Sequence, residues 1–351
     1  MKNEKILFFL GRPFGPIYSL VMGLRAWLYA KGFKKVHRLP VPVISVGNLT
    51  MGGTGKTPMV LHLARLTQEK YHPAIISRGY GGKAHAQINL VSDGQKILLS
   101  PEQAGDEPLL LATSLPSIPV ITGPKRVLTG GYAVEHQGAE LLIMDDGFQH
   151  MSLHRDLNIA LFSATALLGN GRVCPAGPLR EPIQALQRAD CFVFTGVNKH
   201  NRSRAIDFAA SLTKRFPATP CFFGEYKATG LQALGSEKII SPEMLKNTPL
   251  LGFCGIATPD SFESSLHSLG LSIPDFRAFR DHHPFSQTDV RDLQEMAKQA
   301  NCQGLICTAK DQVKLAAHNW YLPVWTVLMD LVMEPNFDQF ILRHLESFRP
   351  D

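Results

Sequence analysis

Apolar residues in this chain gather in short runs that stop at glycine or at charge. Pro42-Val43-Ile44-Ser45-Val46 reads as a buried strand, and Pro58-Met59-Val60-Leu61-His62-Leu63-Ala64 begins a helical pattern. Pro73-Ala74-Ile75-Ile76-Ser77, Pro119-Val120-Ile121-Thr122 and Leu141-Leu142-Ile143-Met144 read as three more strands, while Leu109-Leu110-Leu111-Ala112 belongs to an apolar helix. Toward the end of the chain, Leu250 to Ala257 and Gly304 to Thr308 are again strand-like runs before loops. The alternation of strands and helices is that of a parallel sheet, whose ligands collect at the carboxyl ends of its strands. Arg78 and the pair Asp145-Asp146 follow directly on such strands, and Arg126 follows its strand after Gly123-Pro124-Lys125.

The sharpest local feature is the turn between the first strand and the first helix, "VGNLTMGGTGKTP", Val46 to Pro58. A glycine-rich loop there can fold its backbone N–H groups inward, and the helix N-terminus adds donors and partial positive charge, which together suit a phosphate. Lys56 would reach the β- and γ-phosphates and the Thr57 hydroxyl would sit on Mg²⁺. The full G-x-x-x-x-G-K-[ST] pattern fails by one residue, because Thr50 stands where its first glycine belongs. Thr50, Met51, Gly52, Gly53, Thr54, Gly55, Lys56 and Thr57 are therefore the expected nucleotide-binding residues. Met51 occupies the place where some shortened P-loops carry a second lysine reaching across a dimer, so a cross-armed dimer is not expected and a monomer is. The fold class that follows is α/β, a P-loop NTPase-like, mostly parallel sheet flanked by helices.

Charge changes the picture at one end only. The 351-residue chain carries a net charge of +6. Residues 1–38 hold eight basic side chains (Lys2, Lys5, Arg12, Arg25, Lys31, Lys34, Lys35, Arg38) against Glu4, a balance of +7, which leaves 28 basic and 29 acidic residues elsewhere. A near-neutral remainder argues against a nucleic-acid partner. The same segment holds Ile6 to Leu10, Ile17 to Leu24, Trp27, Leu28 and Tyr29, interrupted by Arg12, Pro13, Pro16 and Arg25. That is too broken for a span of ~20 apolar residues, no small-residue cleavage site follows, and the pattern suits a helix lying in an anionic membrane interface. A core helix packed on the domain is the other reading. Six scattered cysteines without a C-x-x-C pair suggest a reducing compartment and no disulfides.

Two carboxylate positions bear on chemistry. An apolar strand ending in aspartate, downstream of a P-loop, is the Walker B arrangement, so Asp145 or Asp146 is expected to hold the Mg²⁺ of a bound nucleotide. Gly105-Asp106-Glu107-Pro108 opens the apolar helix and reads equally as a helix start with acidic first-turn residues or as a base for an incoming hydroxyl. His150 and His154 have i,i+4 spacing, but with no third ligand nearby they read as loop histidines rather than a zinc site.

In order along the chain, "VGNLTMGGTGKTP", "SRGYGG", "GDEPLL", "DDGFQH", "PAGPLREP", "GFCGIATPDSF", "DHHPF" and "TAKD" resemble the tetraacyldisaccharide 4′-kinase family of lipid A biosynthesis. The resemblance implies an ATP- and Mg²⁺-dependent lipid kinase acting on the 4′-hydroxyl of a tetraacylated glucosamine disaccharide 1-phosphate, giving lipid IVA. It also implies a peripheral or monotopic position on the cytoplasmic face of the bacterial inner membrane. It assigns Asp145 and Asp146 to the metal site and Arg78, Arg126, Arg180 and Glu181 to the phosphates and sugar. Asp106 would be the catalytic carboxylate, partnered by His282 or by the adjacent His283. The expected division is 1–38 as membrane-associating segment, 39–225 as NTPase core and 226–351 as a smaller α/β domain, with catalysis in the cleft between the last two. After "DDGFQH" the family usually continues with arginines, where this chain has Met151 to Asp156. Two rivals have specific weaknesses. A P-loop GTPase or metallochaperone switch needs N-K-x-D, and "FVFTGVNKHN" places Asn201 at the aspartate. A non-catalytic membrane scaffold leaves Asp106, Arg126 and His282 without a role.

Overall fold

The computed structural model describes residues 8–316 and 318–348; Lys2, Lys5, Ile6 and Leu7 of the basic apolar segment lie outside that range. One 13-stranded sheet runs through the molecule. Its first half comprises β1 (Val43–Asn48), β2 (Pro73–Ser77), β3 (Asn89–Asp93), β4 (Pro119–Thr122), β5 (Leu141–Asp145), β6 (Leu157–Ser163) and β7 (Cys191–Thr195). The long β8 (Cys221–Ala233) follows, then the short β9 (Ile239–Ile240), β10 (Pro249–Cys254), β11 (Ser272–Ala278), β12 (Gly304–Thr308) and β13 (Val324–Met333). The strand order is β11-β10-β12-β13-β8-β7-β6-β1-β5-β2-β4-β3, with β9 added to β8. Within each half the neighbours are mostly parallel; β3 against β4 and β13 against β8 are antiparallel.

β8 joins the two halves. Its first residues, Cys221 to Phe223, pair in parallel with β7, while Gly224 to Ala233 pair with β13. The expected division after residue 225 thus falls inside one continuous strand. The central strands β1, β5, β6 and β7 are buried on both faces, as expected for Val/Ile/Leu/Phe-rich runs between helical layers. The helices that position the site are α1 (Gly15–Ala30), α2 (Lys56–Thr67), α3 (Asp106–Ser114), α4 (Arg126–Gln137), α5 (Gln287–Gln299), α6 (Ala309–Leu315) and α7 (Pro335–Glu346). Although α7 comes last in the chain, Phe337, Ile341 and Leu345 pack into the core that surrounds α2, together with Met59, Leu63 and Leu111.

None of the described helices is long and apolar enough to cross a membrane. α1 has Pro16 in its first turn, where the missing N–H costs nothing, so the proline starts the helix rather than breaking it. Its inner side is fixed by Met22, by Tyr18 against a buried cluster that includes Leu168 and Val173, and by an Arg25 hydrogen bond. Its outer side leaves Ile17, Leu20, Val21, Leu24 and Trp27 exposed, Leu20 at 75%.

Candidate active site

The P-loop lies between β1 and α2. Gly52 and Gly55 have φ of 107° and 76°, left-handed values that glycine adopts without strain. At Gly55 there is also no room: a Cβ would collide with the Tyr226 hydroxyl, which β8 brings beneath the loop. Thr195 Oγ1 donates to the Thr54 carbonyl at 2.9 Å, and Met51 N donates to Pro178 O at 2.8 Å. Thr50 bridges to Leu179. The loop is thus held from outside, at its backbone. The first hydrogen bond of α2 runs from Met59 N to Gly55 O, so the N–H groups of Lys56 and Thr57 lie outside the helical ladder and remain available to an anion.

Lys56 Nζ sits 3.5 Å from Asn48 Oδ1 and 3.7 Å from Asp146 Oδ1. Arg180 Nη1 reaches both oxygens of Asp146 at 2.8 Å and Gln149 Oε1 at 3.3 Å. Gln149 in turn donates to the Asn48 carbonyl at 2.9 Å and accepts, at its own carbonyl, from Arg25 of α1 at 2.9 Å. Asn48 and Gln149 escaped the sequence reading as site residues, though both lie inside quoted motifs.

The two adjacent aspartates differ sharply. Asp145, the last residue of β5, is 3% exposed, and its Oδ1 is buried without a hydrogen-bond partner. Burial, then the nearby charge of Glu107, raises its pKa from the ordinary 3.8 to about 7, with Lys56 opposing. Asp146 has φ of 50° and turns toward the cations. Burial pushes its pKa up, but the charges of Lys56 and Arg180 outweigh this and the net shift is downward. A buried carboxylate with an orphaned oxygen is what a divalent cation satisfies, so Thr57 and Asp145 fit Mg²⁺. Asp146 already has both oxygens engaged by Arg180. No cluster of three or more His, Cys, Asp or Glu suited to a metal occurs among the described residues. Magnesium held by one or two carboxylates plus substrate phosphates needs none.

The remaining predicted residues spread around this centre. Arg126, at the start of α4, is buried; burial lowers its pKa to about 10, with Asp146 opposing and Arg78 adding to the fall. Arg78 is exposed at the end of β2. Glu181 is 1% exposed with both oxygens 2.9 Å from Arg188, whose guanidinium lies over Phe148. His150 and His154 lie in a loop, 2.9 Å from Ser152 Oγ and 3.3 Å from Asp156 respectively.

Asp106 is the first residue of α3, and its Oδ2 lies 3.0 Å from His282 Nδ1. The histidine belongs to the loop after β11, 176 residues away in the chain. Its backbone is in the left-handed region, φ 60°, pinned by a hydrogen bond from its N–H to the Gly255 carbonyl at 3.1 Å. His283 points elsewhere: Nε2 is 3.2 Å from Asp289 and the ring stacks on Phe279 at 4.6 Å. Two lysines of α6 complete the group, Lys310 with Nζ 3.1 Å from His282 Nε2 and Lys314 with Nζ 3.4 Å from Asp106 Oδ2. Lys314 went unnoticed in the sequence; its only signal was the four-residue spacing from the lysine of "TAKD".

Comparison with known proteins bears on the chain as a whole. The family model for tetraacyldisaccharide-1-P 4′-kinase matches residues 7–346. A tetraacyldisaccharide 4′-kinase of Desulfotalea psychrophila is 42% identical over 349 residues, covering 99% of each chain. One from Syntrophus aciditrophicus is 41% identical over 345 residues, covering 95% of this chain and 92% of the other. Among solved structures, the crystal structure of "apo" form LpxK from Aquifex aeolicus in complex with ATP superposes with a TM-score of 0.76 at 32% identity. It covers 95% of this chain and 98% of that one.

Proposed function

The chain belongs to the tetraacyldisaccharide-1-phosphate 4′-kinase family, and from that premise and the site's geometry we infer how it transfers the γ-phosphoryl group of ATP to the 4′-hydroxyl of a tetraacylated glucosamine disaccharide 1-phosphate. The product is lipid IVA, an intermediate of lipid A biosynthesis. The single observation that carries the residue assignment is the 3.0 Å contact of Asp106 with His282, two residues 176 positions apart in the chain.

Phosphoryl transfer asks for position and charge neutralisation more than for covalent help. The P-loop from Thr50 to Thr57 would receive the phosphates, with Lys56 offsetting charge on the β- and γ-groups. Thr57 and Asp145 would hold Mg²⁺, assisted by Asp146; the ion supplies Lewis-acid neutralisation of the phosphate oxygens. Arg78, Arg126 and Arg180 add positive charge around the transferring group and the sugar, while Glu181 would orient Arg188 beside them. The 4′-oxygen forms its bond to the γ-phosphorus as the bond to the bridging oxygen breaks and ADP departs. The hydroxyl proton passes to Asp106, whose carboxylate His282 orients. Such a base contributes ~10²–10⁴-fold. The units 39–225 and 226–351 would act as the two walls of the cleft, joined through β8, and closure between them would exclude water.

The membrane is the expected site of work, on the cytoplasmic face of the inner membrane. In support, α1 presents Ile17, Leu20, Val21, Leu24 and Trp27 outward, next to Arg12, Lys31, Lys34 and Lys35. The test of the whole reading is label transfer from γ-³²P ATP to purified tetraacyldisaccharide 1-phosphate in anionic mixed micelles. A labelled lipid whose phosphate maps to the 4′-position is expected; absence of lipid labelling in the presence of ATP and Mg²⁺ sinks it. Leu20→Glu with Leu24→Glu should abolish flotation with anionic vesicles while nucleotide binding survives, and unchanged flotation removes α1 from the membrane role.

A further inference from the structure

Tyr226 lies on β8 just past the point where that strand leaves β7 for β13, paired there with Leu331. Its ring occupies a slot between two glycines in the left-handed region, Gly55 with φ of 76° and Gly196 with φ of 68°. A Cβ on Gly55 would fall on the Tyr226 hydroxyl, and one on Gly196 would stand 3.2 Å from the ring Cε2. The hydroxyl therefore abuts the backbone of the P-loop itself, one residue before Lys56. Beside it lies Thr195, whose Oγ1 donates to the Thr54 carbonyl at 2.9 Å, with Phe162 O a longer alternative at 3.4 Å. A hydroxyl has one proton and two lone pairs. Having given its proton to the loop, Thr195 can only accept from the Tyr226 hydroxyl turned toward it. Burial raises the Tyr226 pKa above its ordinary 10, with Thr195 opposing, so the hydroxyl keeps its proton to donate. Thr195 is fixed in turn: its carbonyl accepts from Ala164 N at 2.9 Å, and Val197 N donates to Gly224 O of β8 at 3.0 Å. A relay thus runs from β8 through the end of β7 into the phosphate loop.

We propose that Tyr226 is a positioning residue for the nucleotide: through Thr195 and the Gly55 backbone it holds the P-loop in the shape that receives the ATP phosphates. The proposal rests on the reading of Thr50 to Thr57 as the nucleotide loop. A loop that spends part of its time in other shapes binds ATP more weakly by that fraction. Because Tyr226 acts through the loop backbone, its effect falls alike on the bound ground state and on the transition state, which raises KM and leaves kcat.

The test is steady-state kinetics and equilibrium ATP binding for Tyr226→Phe and Thr195→Val, singly and together, with thermal melts of the nucleotide-free protein. Tyr226→Phe keeps the ring and removes only the hydroxyl. Its KM and Kd for ATP should rise roughly three- to tenfold, while kcat and Tm change little. Thr195→Val should do the same, and Thr195→Ser, which keeps the hydroxyl, should retain most of the affinity. The double mutant should bind scarcely worse than the weaker single one, as members of one relay. If KM and Kd for ATP are unmoved in Tyr226→Phe, with or without a fall in Tm, the residue only packs and the proposal is overturned. Full additivity of the two binding losses overturns it as well. Lys56→Ala separates this from failure of the underlying reading. Normal ATP binding by Lys56→Ala removes the nucleotide loop itself, whereas weakened binding there beside an unmoved Tyr226→Phe removes only the role of Tyr226.

Discussion

The phosphate side and the base side of the proposed site are built in opposite ways. On the phosphate side the geometry is carried by backbone: glycines at positive φ, a loop stitched to Pro178 and Thr195, and the free N–H groups at the head of α2. The charged side chains there, Lys56, Asp146 and Arg180, are all from one half of the molecule. On the base side nothing is local. Asp106 comes from α3, His282 from the loop after β11 and the two lysines from α6, brought together where α6 packs on α3. The first side draws on one stretch of chain around one loop; the second draws on residues from both halves of the sheet. Changes on the two sides should therefore fail differently.

The largest effect is expected on the base side. Asp106→Ala and His282→Ala should each lower kcat by ~10²–10⁴-fold while ATP affinity stays nearly intact. Acting as a unit, they should be non-additive, the double mutant scarcely worse than the poorer single one. Full additivity of the two kcat losses would break the unit. On the phosphate side, Lys56→Ala should cost on the order of 10²–10³-fold in kcat/KM, with ATP binding weakened as well. Equilibrium binding of a nucleotide analogue reads the contrast: weakened by Lys56→Ala, spared by Asp106→Ala.

The same contrast explains what the sequence disclosed. Strands β2, β4 and β12 fall on the expected residues, and β1 and β5 differ by one or two at their ends, because buried apolar runs bounded by glycine and charge are local signals. The P-loop was legible for the same reason. Composition said nothing of the choice between His282 and His283, since adjacent residues differ only in which way the backbone turns; the φ of 60° at His282 makes that choice. Lys314 was illegible because its partner Asp106 lies far away in the chain. The return of α7 to the core around α2 was hidden likewise, since an amphipathic helix does not say which core it joins.

A smaller, pH-dependent effect should separate Asp145 from its neighbour. Its pKa is raised to about 7 in the folded protein, from an ordinary 3.8, chiefly by burial. The folded state therefore holds this proton more tightly than the unfolded one. The associated stability is complete below about pH 4 and is lost as pH rises through about 7. In the absence of Mg²⁺, Asp145→Asn should be more stable than wild type at pH 8, by about 1–3 kcal/mol, and the advantage should shrink on acidification and vanish below about pH 4. Mg²⁺-nucleotide should raise the wild-type Tm more at pH 8 than at pH 6, and should raise that of Asp145→Asn little at either. Asp146, held below the usual range by Lys56 and Arg180 despite burial, should show no such dependence in this window. Equal Mg²⁺ stabilisation at both pH values would deny Asp145 the metal.

The smallest effect sharpens the comparison to a single pair of adjacent residues. His283 lies beside the base but turns into the second half's core, stacked on Phe279, edge-on to Phe285 at 5.2 Å and 3.2 Å from Asp289. Asp289 in turn caps α5 through Ser286. Replacing His283 by alanine removes an aromatic contact of about 0.5–1.5 kcal/mol and loosens the start of α5, so a modest fall in Tm is expected. Because Lys314 reaches this residue only at its carbonyl, and His282 is held through its own N–H, the base should keep its place. kcat should then stay within about threefold of wild type, a change of under roughly 0.7 kcal/mol in barrier. His283→Gln, which keeps a polar group facing Asp289, should recover part of the Tm. A kcat loss comparable to that of His282→Ala, in protein still folded at the assay temperature, would transfer the partner role to His283 and undo the contrast.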